Sequence, residues 1–62
     1  MLLVIQYDAW NDEYYYYIDT NGAPHRLITD DEVDLILDNP NVYNNIKSGD
    51  LAQGILAFAP LA

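Results

Sequence analysis

The spacing of apolar residues changes along the chain. Leu2-Leu3-Val4-Ile5 is an unbroken apolar run that turns polar at Gln6-Tyr7-Asp8, the pattern of a buried strand over 2–8. Ala9-Trp10-Asn11-Asp12 supplies turn chemistry, because Asn and Asp bond their own main chain and tolerate unusual backbone angles. Residues 13–19, Glu-Tyr-Tyr-Tyr-Tyr-Ile-Asp, predict a second strand, since aromatic rings favour a pleated surface. Asn21-Gly22 is a strong hairpin signal and hands over to a short third strand around His25 to Ile28. Pro24 lacks an amide donor and belongs at that strand's start or on an edge.

The period then becomes helical. Thr29-Asp30-Asp31-Glu32 reads as a capping box, in which the Thr29 hydroxyl accepts from the Glu32 amide while Glu32 reaches back. Val33, Ile36 and Leu37 recur at helical spacing, and Asn39-Pro40 stops the pattern, which predicts a helix over 30–38. Past Pro40 the signal weakens. Val42, Tyr43 and Ile46 suggest a short helix within 41–48 closed by Gly49, and Asp50-Leu51-Ala52-Gln53 a turn or a single helical turn. Residues 54–58 read as a last strand or an apolar tail, with Pro60 ending a strand soon after. The order β-β-β-α-(α)-β predicts a single α+β domain over 1–62, with an antiparallel sheet of three to four strands and the capped helix packed on one face.

Composition narrows the function. The 62 residues hold Lys+Arg 2 against Asp+Glu 10, a formal charge of −8, and no cysteine. Zinc-finger, iron–sulfur and thiol chemistry go with the cysteines. Two cations are too few to neutralise a run of phosphates, which argues against direct nucleic-acid binding and against an anionic membrane surface. At 52% apolar and 13% aromatic, the chain is too hydrophobic for an acidic disordered tail. The Met1 start lacks a basic leader, and the longest apolar stretch, 55–62, is too short to span a bilayer. A complete small cytoplasmic protein is the expectation, in a host's cytoplasm if a virus encodes it.

Catalytic chemistry is sparse. Ser48 and His25 can be drawn as nucleophile and base, but nothing in the sequence places them together, so no enzyme, cofactor or metal is expected. Asp19-Thr20-Asn21-Gly22 imitates the middle of an EF-hand loop, yet Tyr17 and Ile28 fall where the terminal ligands belong. Asp8, Asp12 and Glu13 are a looser carboxylate cluster in the first turn.

Two features stand out. Asp30, Asp34 and Asp38 recur at i, i+4, i+8 with Asp31 beside them, a row one helical turn apart and comparable in scale to a phosphate strand. The plain explanation is a solvated face that keeps the domain soluble. The sharper one is a decoy for a basic groove, with Asp12 and Glu13 adding charge. The second feature is the tyrosine run. Strand alternation puts Tyr14 and Tyr16 on one face and Tyr15 and Tyr17 on the other. One pair enters the core beneath the helix and the other lies open, and Trp10, Tyr15 and Tyr17 are expected as aromatic contacts. A ladder of cross-strand pairs is the plain explanation.

The leading expectation is therefore a non-enzymatic acidic interaction module for a protein with a basic surface, acting as a phosphate-backbone mimic. In size and charge it resembles virus-encoded inhibitors of host nucleic-acid enzymes, a likeness of character without a shared motif. The alternative is a small protein that self-associates, as a homodimer, through its aromatic sheet face.

Overall fold

The computed structural model describes residues 1–21 and 25–61. β1 (Leu2–Asp8) and β2 (Glu13–Asp19) pair antiparallel, with Val4 opposite Tyr17 and Tyr7 opposite Tyr14. β3 (Arg26–Ile28) adds to β2, with Tyr16 opposite Ile28. Gly22 and Pro24, on which the predicted hairpin turn and strand entry rest, lie outside the described residues.

α1 (Asp30–Leu37) starts two residues after β3. Thr29 Oγ1 accepts from the Glu32 amide at 3.3 Å, as the cap predicts. Glu32 itself turns to Arg26, at 3.1 Å, in place of the reach back to the cap. α2 (Pro40–Tyr43) is a single turn, with Pro40 in its first turn and the Asn39 side chain accepting from the Asn41 amide. β4 (Lys47–Ser48), a 3-10 turn at Leu51–Gln53 and β5 (Ile55–Pro60) complete the chain.

The sheet order is β3-β2-β1-β5-β4, so the expected three to four strands are corrected to five. The fold is otherwise the α+β arrangement expected. The extra strand comes from the segment read as the end of a helix. Asn44 and Asn45 are poor helix formers, so the helix stops at Tyr43 and frees Lys47 and Ser48 to pair with Phe58 and Ala57. β5 also runs on to Pro60. Leu61 N donates to Met1 O at 2.9 Å, so alternation points the donorless Pro60 nitrogen away from β1, beyond the end of β4.

Gly54 makes the entry to β5. Its φ of +79° is the left-handed region, and a Cβ there would sit 2.8 Å from the Tyr7 carbonyl oxygen. The Tyr7 amide donates to Gly54 O at 2.8 Å, next to a register shift between Ile5 and Gln6.

The main core lies between the sheet and α1. Leu3, Ile18, Ile28 and Val33 form it, with Tyr16, Ile36, Leu37 and Leu61 packed around. Leu3, in the central strand, is 1% exposed. Among the described residues, no helix is long and apolar enough to cross a membrane.

Candidate functional site

The acidic row lies on an exposed flank of α1. At 3.6 residues per turn, Asp30, Asp34, Asp38 and Asp31 fall within an arc of about 100°, with Leu37, Val33 and Ile36 on the arc adjoining it at the Asp30 side. All four carboxylates belong to exposed residues. The rise carries the row over about 12 Å. The two ends differ in their local rationale. Asp30, Asp31 and Glu32 in the first turn suit the positive end of the helix dipole. Asp38 is the C-cap residue, at the negative end, with no basic residue in the last turn. Asp34 stands one turn from like charges on both sides. Among the described residues the one ion pair is Arg26–Glu32, which leaves the row itself without a cation.

Register decides which aromatic residues flank this row. Tyr16 pairs with Ile28, and α1 begins at Asp30, so the start of the helix lies beside Tyr16. Burial, and then the neighbouring Asp30 and Asp34 carboxylates, push the Tyr16 phenol above its usual value. Tyr14 continues the same face toward the β1–β2 turn, 60% exposed, its ring 5.0 Å from that of Tyr7. The Tyr7 hydroxyl donates to Asp12 Oδ1 at 2.6 Å.

Tyr15 and Tyr17 lie on the opposite face of the sheet, their rings stacked at 6.1 Å. The expectation of one pair in and one pair out does not describe their burial. Tyr14 is open although it shares the helix face, whereas Tyr17 is only 8% exposed, with its ring 4.3 Å from that of His25. Burial rises along β2 from the turn toward Ile18, so distance from the core outweighs the choice of face. Tyr15 is the exposed member of that pair.

Trp10 occupies the β1–β2 turn and is 97% exposed. The turn is braced by Asp8, whose Oδ1 accepts from the Trp10 amide at 3.0 Å and whose Oδ2 accepts from the Asn11 side chain at 2.7 Å. The Asn11 side-chain contact acts most strongly, burial opposes it, and the Trp10 and Asn11 backbone amides add to it, so the Asp8 carboxyl is held below its ordinary value. Asp12 adopts a positive φ of 51° in the same turn, and Glu13 next to it is exposed.

The predicted residues thus form three groups: the α1 row, the Trp10 turn with Asp12 and Glu13, and the far-face pair Tyr15 and Tyr17. Sequence reasoning missed Tyr14 and Tyr16 as the aromatic neighbours of the acidic row. The signal for them was the short spacing between β3 and the Thr29 cap, which starts the helix over whichever β2 residue pairs with Ile28.

These phenols carry a pH dependence. The pKa values of Tyr7, Tyr16 and Tyr17 are raised, Tyr7 chiefly by its bond to Asp12 and the other two chiefly by burial. A raised folded value means stability that is intact below the unfolded phenol pKa of about 10 and is lost as pH climbs through the folded values. The melting temperature should therefore hold from neutral pH to about 9 and decline above about 10, as phenolate absorbance rises. A Tyr16→Phe variant should lose part of that alkaline drop.

An open hollow of about 350 Å³ is lined by Asn39, Asn41, Val42, Asn45 and Pro60 and holds no titratable side chain. Among the described residues, no three of His, Asp and Glu converge as metal ligands. Comparison with protein families, with curated proteins and with solved structures returns no match.

Proposed function

We propose that the chain is a non-enzymatic acidic interaction module that docks on the basic surface of a nucleic-acid-handling protein. The α1 flank presents Asp30, Asp31, Asp34 and Asp38 as phosphate surrogates, and Tyr14 offers a ring beside them. One observation carries this reading: Asp34 and Asp38 stand where the helix itself disfavours negative charge. Solubility needs charge, but it does not need it at the wrong end of a dipole. Carboxylates retained at a local cost point to use by a partner.

Asp38→Lys tests the trade-off. It removes the unfavourable dipole contact and turns the Asp34 pair into an attractive i, i+4 pair in the favoured order. The variant should be more stable by about 0.5–1 kcal/mol, a rise of about 3–6 °C in melting temperature. Affinity for a basic, nucleic-acid-binding protein captured from cell lysate on the immobilised chain should fall about threefold to tenfold, and in the wild type it should decline steeply with salt. A stabilised variant with unchanged affinity would sink the proposal.

A further inference from the structure

The sheet face that α1 packs on is not covered to its end. The helix begins beside Tyr16, and Ile36 and Leu37 further along it join the core around Leu3 and Ile18. Toward the β1–β2 turn the same face carries Tyr7 and Tyr14, directly opposite each other, with rings 5.0 Å apart and inclined at 47°. Tyr14 is 60% exposed and Tyr7 half-buried. Tyr16, two residues along β2, continues this strip of rings to the helix.

Carboxylates bound the strip at both ends. Asp12 Oδ1 accepts from the Tyr7 hydroxyl at 2.6 Å, and Asp30 and Asp34 lie beside the Tyr16 phenol. All three belong to exposed residues. Neither cation of the chain reaches this end of the face. Arg26 stands opposite Ile18, beyond Tyr16 from the turn, and is held by Glu32. Lys47 lies on β4, at the other edge of the sheet.

We propose that this strip receives an arginine side chain of the basic partner, its guanidinium on the exposed Tyr14 ring and its charge toward the Asp12 and Asp30 carboxylates. The inference deepens the α1 reading and rests on it for the sign of the partner's charge. Charge and ring chemistry together select the occupant. Every charge bordering the rings is negative, which repels an acidic ligand and a second copy of the chain. An apolar side chain would desolvate the carboxylates and return nothing to them. Ring faces favour a planar, weakly hydrated guanidinium over a compact, strongly hydrated ammonium, so arginine is preferred to lysine. The carboxylate row alone attracts either cation; the rings tell them apart.

Titration with hexa-arginine and hexa-lysine peptides at low ionic strength, followed by NMR, tests this preference. The wild type should bind the arginine peptide about twofold to fivefold more tightly, with the arginine δ-methylene protons shifted upfield by the ring. Tyr14→Leu should bring the two affinities together and abolish the upfield shift. Tyr14→Phe keeps the ring and should keep both effects. The wild-type comparison stands by itself if Tyr14→Leu fails to fold. Equal binding of the two peptides by the wild type, or an arginine preference that survives Tyr14→Leu, would overturn the proposal and leave the α1 reading in place. Binding of neither peptide would overturn both.

Discussion

Leu3→Ala is expected to remove about half of the protein's folding stability. Leu3 is the most completely buried large side chain and lies in β1, the central strand, against Ile18, Ile28 and Val33. Truncating a buried leucine costs about 2–5 kcal/mol, from lost transfer energy and from the cavity left behind. A chain of this length has about 3–9 kcal/mol of total stability. The substitution therefore removes about half of it. A thin core cannot redistribute that loss, because no second layer of side chains can move in. Urea titration should show a much lower midpoint with the slope little changed. Leu35→Ala, at an exposed position on α1, should change the stability by less than about 0.5 kcal/mol. Equal losses at both positions would contradict the packing described.

Reversing two charges on α1 should do the opposite: little to stability and much to binding. Asp31→Lys with Asp34→Lys replaces two attractions toward a basic surface with two repulsions. Exposed pairs contribute about 0.2–1 kcal/mol each. The four changes together amount to about 1–4 kcal/mol, and a fall in partner affinity of about fivefold to several hundredfold follows. Fold stability is held by compensation. Lys at 34 relieves like-charge contacts with Asp30 and Asp38, while Lys at 31 loses a favourable dipole position. The two effects are each below about 1 kcal/mol and of opposite sign, so the melting temperature should stay within a few degrees. Isothermal calorimetry on the captured partner, beside a thermal melt, separates the two quantities.

The contrast between these variants reflects what the residues reveal before folding. β1, β2 and α1 were legible because each carries a local physical signal: an apolar run, an aromatic run and a capping box. β4 was not. Lys47-Ser48 has neither apolar character nor length, and it is a strand only because β5 offers it an edge. Register was also hidden. A two-residue turn at Asn21-Gly22 would pair Tyr16 with Leu27 and send Ile28 to the open face. The observed partner is Ile28, one residue on, which buries Ile28 under α1 and leaves Leu27 exposed. That single step decides which tyrosines border the acidic row. The row itself was visible from its spacing alone, since four carboxylates at helical intervals share a flank whatever the helix packs against. Their aromatic neighbours depended on contacts between distant segments, which no local pattern carries.

The central claim is that the α1 flank occupies a site made for phosphates, and competition tests it most directly. The protein is immobilised, exposed to cell lysate, and washed with duplex DNA or structured RNA in place of salt. The claim predicts that nucleic acid elutes proteins that bind nucleic acid, and that a column carrying Asp31→Lys and Asp34→Lys never retains them. Identical retention on both columns, or bound protein that nucleic acid cannot displace, would contradict it.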